Sequence, residues 1–313
     1  MASTDADRWH SEMWEVSIPA VAHADLGASH ALMALTALYM SAYNAQVGGG
    51  IYDFLATAQL HYHRALEQVR TGILSLDQIN ADGLLACCML LIPCGLVLST
   101  TNVDLMGEWL HHFRGYEVLG IAVQKPETTT SVPDQLISFP LPVPDLQPPV
   151  INNRSHGPLS FRLVGLLHAM RSTSSLAIDQ LRATVVDSIR NSSQCTVQEY
   201  LAAIDEVQVV LENVLDPRSQ YYLRAVFSWS TRISQSFAHA LTARDELALA
   251  IGAHWLVCSL LPQDVWYVRD FGSVRLEAVR DILDTSKSPY RGLLAWPLAM
   301  LHIYGQYRSL GQL

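Results

Sequence analysis

Apolar residues recur at three- and four-residue steps along most of this chain. One such stripe contains Ile51, Leu55, Ala58, Tyr62, Leu66 and Val69. A second contains Leu105, Trp109, His112, Tyr116 and Leu119. This spacing is that of one face of an amphipathic helix, and no alternating β pattern of useful length accompanies it. The pattern predicts an all-α fold, and typical helix length predicts roughly ten to thirteen helices.

Two segments are apolar on nearly every face. The first runs from Ser29 to Tyr43, and the second, GLLACCMLLIPCGLVL, runs from Gly83 to Leu98. The second is shorter than the roughly 20 residues that a membrane span needs, and it contains Pro93. It therefore predicts a buried core helix with a kink rather than a membrane span.

The texture changes between Lys125 and Pro158, where eight of the fourteen prolines occur. Proline lacks a backbone N–H and restricts the residue before it, so this stretch is no helix interior. An extended segment packed on the surface and a mobile lid are the two interpretations. The rest of the chain predicts one domain over residues 1–313, interrupted by this loop or lid at 125–158.

Composition narrows the class of protein. Half of the residues are apolar, 16% are charged and the net charge is −9, which predicts a globular chain and argues against a nucleic-acid surface. Five cysteines without a CxxC pair suggest free thiols in a reducing compartment. The acidic N-terminus does not resemble a secretory signal. We therefore expect a cytoplasmic location, or a nuclear one if the protein is regulatory.

Three histidines are predicted to face the interior or its edge. His254 aligns with Leu247, Ile251 and Cys258 on one helix face, and His112 lies on the second stripe. His61 lies at the edge of the first stripe. Each ring is either a core histidine satisfied by hydrogen bonds or part of the wall of a ligand cavity. If the three converge, they form a shared polar pocket.

The loop LPQDVWYVRDFG follows the helix of His254 and is rich in aromatic and acidic residues. Trp and Tyr offer flat apolar surface with one polar atom each, which suits a polycyclic ligand. The alternative is a helix-end contact, with Trp266 in the core and Asp264 and Asp270 in solvent. The predicted catalytic residues are His254, His112, Asp264 and Tyr267. The predicted substrate-binding residues are His61, Trp109, Arg114, Tyr116, Trp266 and Trp296.

Motifs for cofactors and metals are missing. The chain has no HExxH, His-x3-His, GxGxxG, GxxxxGK[ST] or GxSxG. Adjacent histidines, such as His111 and His112, diverge around a helix and do not share an ion. Thiols in the apolar run should stay protonated. We therefore expect no metal and no cofactor.

Several segments resemble the C-terminal regulatory domain of fungal zinc-cluster transcription factors of the sterol-uptake-regulator type. They are ASHALMALTALYMS, AQLHYHRALEQVR, GEWLHHFRGYEVL, DELALAIGAHWLVCSLL and LLAWPLAML, in that order between about Trp14 and Tyr304. The resemblance implies an all-helical domain that binds an apolar small molecule. The residues before Trp14 contain no cysteine, so the family's zinc cluster is not among them, and DNA binding does not carry over.

Two functions fit these expectations. The leading hypothesis is a cofactor-independent enzyme of fungal secondary metabolism. It would catalyse an intramolecular cyclisation, an isomerisation or an addition on an apolar polyketide or terpenoid intermediate. His254 or His112 would move the proton, and Asp264 or Tyr267 would orient that histidine. The alternative is a transcriptional regulator or ligand-sensing interaction protein without its own DNA-binding module. Under either hypothesis we expect the protein to bind an apolar small molecule and to contact neither nucleic acid nor membrane directly. Either is compatible with a homodimer.

Overall fold

The computed structural model describes residues 13–47, 53–74, 81–101, 108–123, 163–188, 196–216, 222–262 and 265–309. These residues contain twelve α-helices, a π-helical turn at Met13–Ser17 and a 3-10 helix at Pro289–Leu294, and none of them is in a strand. The prediction of an all-α fold with ten to thirteen helices is confirmed. The proline-rich segment 125–158 lies outside the described residues, so its two interpretations stay predictions.

The described residues divide into two compact units, one within residues 1–98 and 111–148 and the other within residues 99–110 and 149–313. The first five helices are α1 (Ile18–Ala24), α2 (Leu26–Val47), α3 (Phe54–Leu74), α4 (Ala81–Thr101) and α5 (Glu108–Val123). The others are α6 (Val164–Ser188), α7 (Val197–Leu215), α8 (Tyr222–Arg232), α9 (Gln235–Thr242), α10 (Glu246–Cys258), α11 (Phe271–Thr285) and α12 (Ala295–Ser309). One domain over the whole chain stays a prediction.

Helices α2 and α3 form the main packing pair of the first unit. Alanines line both sides of this contact: Ala31 and Ala34 on α2 and Ala58 and Ala65 on α3 are fully buried. A side chain that ends at Cβ lets the two helix backbones approach closely, so this contact is set by size rather than by polar groups.

A capping aspartate fixes the start of α2. The Oδ1 atom of Asp25 accepts a hydrogen bond from the Ala28 N–H at 2.7 Å, which satisfies one of the free donors of the first turn. Gly83, near the start of α4, faces this carboxyl group, and a Cβ atom there would lie 2.4 Å from the Asp25 Cγ. The missing side chain at residue 83 makes room for the cap.

Helix α4 contains the apolar run and extends beyond it at both ends. It is long and apolar enough to cross a membrane by length and composition, but most of it is buried inside the protein. That burial is typical of the core helix predicted from the sequence. Pro93 lies inside the helix and has no N–H to donate to the Met89 carbonyl.

Three stacked tryptophans form the centre of the second unit. The Trp255 ring lies 5.0 Å from Trp109 at 11° and 4.9 Å from Trp229 at 15°. Phe271 packs edge-on against Trp109, with centroids 5.4 Å apart at 80°. The Trp255 Nε1–H donates to the Val226 carbonyl at 2.6 Å, so the stack is fixed to the backbone as well as to other rings.

Replacement of Gly83 by alanine tests the space beside the Asp25 cap. We expect Gly83→Ala to lower the free energy of unfolding by roughly 2 kcal/mol, because the new methyl group overlaps the capping carboxyl group. The matched control is Gly115→Ala in α5, where a Cβ meets no atom within 4 Å. Alanine there should stabilise the helix by up to roughly 1 kcal/mol. Urea unfolding followed by circular dichroism measures both, and equal stability of the two variants would contradict the argument.

Candidate functional site

His254 lies on α10, which is buried on all sides from Leu247 to Cys258. The side chain is 1% exposed, and its Nδ1 lies 2.9 Å from the carbonyl oxygen of Ala250, one turn earlier. Burial lowers the pKa of His254 to about 4, against the hydrogen bond to Ala250, which raises it. The ring is therefore neutral at pH 7, and its Nδ1–H donates to the Ala250 carbonyl.

The indole of Trp296 covers the His254 ring. The two centroids are 5.4 Å apart and the planes are inclined by 16°. Trp296 is half-buried at the start of α12, and its Nε1–H donates to the Thr173 Oγ1 at 2.8 Å. This hydrogen bond joins α12 to α6, so the histidine and the tryptophan contribute to helix packing within the second unit.

His112 in the first unit has a tyrosine as its partner. The Tyr62 Oη lies 2.5 Å from the His112 Nε2, and the two rings meet edge to face. Burial, with His111 as a smaller cause, lowers the pKa of His112 to about 4. With the ring neutral, its Nε2 accepts the hydrogen bond that the Tyr62 hydroxyl donates. Tyr62 is 2% exposed, so this bond links α3 to α5 in the interior.

His61 pairs with His30 across α2 and α3. The two Nδ1 atoms are 2.9 Å apart, so one ring donates an N–H and the other accepts it. Burial lowers the pKa of His30, and His61 and Arg64 lower it further. Protonation of the accepting ring would place two N–H groups against each other.

A shared pocket of the three histidines, which the sequence left open, does not form within either unit. His61 and His112 belong to the first unit and His254 to the second. Each ring has its own contact instead: His30 for His61, Tyr62 for His112, and Ala250 with Trp296 for His254. The interpretation of satisfied core or edge histidines therefore accounts for these contacts.

The aromatic-acidic loop also has internal contacts. Tyr267 is buried and its ring meets that of Trp266 edge-on, with centroids 5.7 Å apart. Asp270 forms an ion pair with Arg308 of α12, at 2.8 Å, where the alternative interpretation left it in solvent. Asp264 lies outside the described residues. Asp270 thus contacts the last helix through a half-exposed ion pair, which contributes little to stability.

Two further predicted ligand contacts lie on α5. Tyr116 packs against a cluster of buried residues that includes Leu85, Cys88 and Leu119. Burial raises its pKa, with Cys88 as a second cause. Arg114 is half-buried on the same helix. Contact of either residue with a ligand stays a prediction, and Tyr116 has a packing role in any case.

A small cavity of about 20 Å³ lies in the second unit beside the tryptophan stack. Its lining residues are Trp109, Leu241, Leu249, Gly252, Trp255, Leu256, Arg275 and Val279. This volume holds about one water molecule. Trp109, one of the predicted ligand contacts, lines the cavity. The cavity has an aromatic wall on one side, formed by Trp109 and Trp255, and the Arg275 cation in its lining.

Arg275 is a buried residue that sequence reasoning missed. It is 1% exposed, and its guanidinium donates to the carbonyl of Ser99 near the end of α4. Burial lowers its pKa to about 10, with Arg244 as a second cause, so it stays charged at pH 7. The signal was available: Arg275 is one turn from both Phe271 and Val279 on the inward stripe of α11.

The cysteines of the described residues have no catalytic environment. Cys87, Cys88, Cys94 and Cys258 are free and buried. Burial raises the pKa of all four thiols, that of Cys88 to about 12. Within the same part of the chain, no three histidine, cysteine or acidic side chains are placed to hold a metal ion. The ionisable interior groups described above therefore take part in packing contacts.

Comparison with known protein families assigns the chain to a class. A family model described as a fungal-specific transcription factor domain matches residues 7–248, which is most of the chain. The chain therefore belongs to the fungal-specific transcription factor domain family, and the resemblance inferred from the sequence is confirmed. The two closing motifs, which extend past residue 248, lie wholly or mostly outside the match. No curated protein and no solved structure matches the chain.

The family match corrects the leading functional hypothesis. The domain is a transcription factor domain, so the enzyme of secondary metabolism is wrong as the main function, and the regulatory alternative fits better. Cyclisation, isomerisation and addition have no supporting observation. Catalysis without a cofactor, taken by itself, stays a prediction that no feature of the described residues tests.

Acid should destabilise the protein through His254. Its folded-state pKa of about 4 lies below the ordinary value of 6.5, so the unfolded chain binds the proton first as the pH falls. Stability is therefore lost between pH 6.5 and 4, and this ring alone contributes a loss on the order of 2 kcal/mol between pH 7 and 5.

The variant His254→Leu removes this titration. It should be less stable than the wild type at pH 7, because it loses the bond to Ala250, and its stability should fall less between pH 7 and 5. The control is His239→Leu, at an exposed position on α9, which should keep the wild-type pH dependence. Urea unfolding at both pH values measures these differences. An unchanged pH slope in His254→Leu would refute the assignment.

Proposed function

We propose that this chain is the regulatory module of a fungal transcriptional regulator. The observation that carries the proposal is the family match over residues 7–248, together with the all-helical architecture. The interior chemistry is consistent with it: His112, His254 and the four described cysteines are engaged in packing, which suits a domain that changes partner contacts better than one that turns over a substrate. Such a module acts in the nucleus or moves there from the cytoplasm.

We further propose that the module senses an apolar small molecule. Support comes from the small cavity in the second unit, which has Trp109 and Trp255 as an aromatic wall and Arg275 as a cation. A ligand larger than one water molecule must displace side chains there. The leucines of the lining are the flexible groups, and an acidic group on the ligand would meet the Arg275 guanidinium.

A reporter assay tests the regulatory function. We expect the chain, fused to an unrelated DNA-binding domain, to change expression of a reporter gene several-fold relative to that DNA-binding domain alone. In the fungus, deletion should change the transcripts of a set of genes. If Gly83→Ala unfolds the first unit, it should weaken the reporter response and should not restore the transcripts in the deletion strain. Gly115→Ala should keep the reporter response and restore the transcripts.

Two results would contradict the regulatory function. One is a silent reporter from a fusion that is stable and nuclear. The other is a deletion strain that accumulates a single metabolite while all transcripts stay unchanged.

Thermal unfolding with added ligands tests the sensing step. The probes are decanoic acid, decanol and a sterol, each added to the purified chain. We expect decanoic acid to raise the Tm by on the order of 5 °C at a hundredfold excess over Kd, and decanol to raise it less, because it brings no charge to Arg275.

A cavity-filling variant identifies the site. The Cβ of Gly252→Ala would lie 3.1 Å from the Leu241 Cδ1 and 3.9 Å from the Trp229 ring, so it fits with a small side-chain shift and occupies part of the cavity. It should reduce the ligand-induced rise in Tm. Gly305→Ala, which meets no atom within 4 Å, is the control. No Tm shift from any probe, or equal shifts in both variants, would reject this cavity as the site.

A further inference from the structure

His30 and His61 direct two ring nitrogens at each other across the contact between α2 and α3. The Nδ1 atoms are 2.9 Å apart, and the ring centroids are 5.0 Å apart with the planes inclined by 38°. Both side chains are half-buried, so the pair stays open to solvent on one side. The two histidines are 31 residues apart in sequence, and only the packing of the helices brings them together.

The separation of the two nitrogens is that of neighbouring ligands on one metal ion. Imidazole nitrogens bind divalent metal ions at about 2.0 to 2.1 Å. Two nitrogens 2.9 Å apart therefore subtend an angle of about 90° at an ion that contacts both. This is the angle between neighbouring ligands in square-planar and tetragonal sites, which are typical of Cu²⁺ and Ni²⁺ with nitrogen and oxygen ligands. A tetrahedral zinc site would need the nitrogens about 0.4 Å farther apart.

The close packing of α2 against α3 holds the two rings at this separation. Ala31, next to His30, and Ala65, one turn after His61, are fully buried, and side chains of this size let the helix backbones approach closely. Ligands that are carried by packed helices lose little further freedom when they bind an ion. The pair is therefore preorganised for a metal ion that bridges the two helices.

We propose that His30 and His61 together bind a divalent transition metal ion of the copper or nickel type, with water as its other ligands. Without the ion, one ring carries a proton on Nδ1 and donates it to the other ring. On binding, this proton moves through solvent to Nε2 of the same ring. Both Nδ1 atoms then offer a lone pair to the ion, both rings carry Nε2–H, and no net proton is released.

Two protein ligands make this an exchangeable site. Within the described residues, no third histidine, cysteine or acidic side chain completes a group that could hold the ion, whereas structural metal sites are closed by four protein ligands. The ion therefore binds and leaves with its concentration, and when bound it ties α2 to α3. The inference does not depend on the regulatory function proposed above, and a chain that binds no metal would leave that function intact.

Titration calorimetry of the whole chain with Ni²⁺ or Cu²⁺ alone tests the site. The chain carries Cys195→Ser, and the four described cysteines are buried. We expect a lower Kd for Cu²⁺ than for Ni²⁺, and no binding of Mg²⁺, which prefers oxygen ligands. His30→Gln and His61→Gln should each raise the Kd for Ni²⁺ at least roughly tenfold, because each removes one of the two protein ligands. The matched control is His63→Gln, exposed on the same helix and about 200° around it from His61, which should keep the wild-type Kd.

Arg64 offers a variant that should tighten binding. It lies three residues after His61 on α3, and its charge lowers the pKa of His30, after burial and His61 as the larger causes. The same charge repels a metal ion, so Arg64→Gln should lower the Kd for Ni²⁺ by about threefold. Arg70→Gln, at an exposed position about 9 Å further along the helix axis, should change the Kd less. This test keeps both histidines, so it does not depend on the folding of the histidine variants.

Electron spin-echo spectroscopy, with less than one equivalent of Cu²⁺, counts the imidazoles on the ion. We expect two in the wild type and in His63→Gln, and one in His30→Gln or His61→Gln.

Three results would overturn the proposal. One is the absence of binding heat from both Ni²⁺ and Cu²⁺. Another is a single imidazole in the wild type, or an equal loss of affinity in His61→Gln and His63→Gln, since either would mean adventitious surface binding only. The third is a Kd that Arg64→Gln leaves unchanged or raises, because the ion would then not lie beside His30.

Discussion

The stack of Trp229, Trp255 and Trp109 holds several helices of the second unit together. Two of these indoles are held in rotation as well as in position, because Trp255 donates to the Val226 carbonyl and Trp229 donates to that of Ala203. The rings therefore join α10 to α8 and α8 to α7 with both apolar area and a hydrogen bond at each step. Such an anchor needs large flat side chains whose polar atoms are already hydrogen-bonded, and the cavity beside it has a volume of only about 20 Å³.

The helices could be predicted from the sequence because burial controls where apolar residues recur, and one stripe per helix suffices to find them. The contacts of the candidate site could not. The inward direction of His254 was predictable, but its acceptor, Ala250, lies on its own helix, and the ring that covers it, Trp296, comes from a helix much later in the chain. Periodicity reports which face is buried and carries no information on what faces it. The inward direction of Arg275 was likewise visible from its place on an apolar stripe, but its acceptor, the Ser99 carbonyl, was not.

The family match overturned the enzyme hypothesis, and the histidine contacts show only why an inward ring is weak evidence for a catalytic site. An inward imidazole needs one hydrogen bond and one flat neighbour, and a helical core supplies both without a substrate. His112 with Tyr62 and His254 with Ala250 each meet that need. The family match then connects the chain to transcriptional control.

The buried thiols give the two units separate reporters. Cys87, Cys88 and Cys94 belong to the first unit and Cys258 to the second. A protonated, covered thiol reacts with an alkylating reagent only when the helices around it open. Peptide mass spectrometry of a labelling time course would therefore follow the opening of each unit by itself. Equal labelling rates would mean that the chain unfolds as one cooperative body. Unequal labelling rates would mean that one unit opens while the other stays closed.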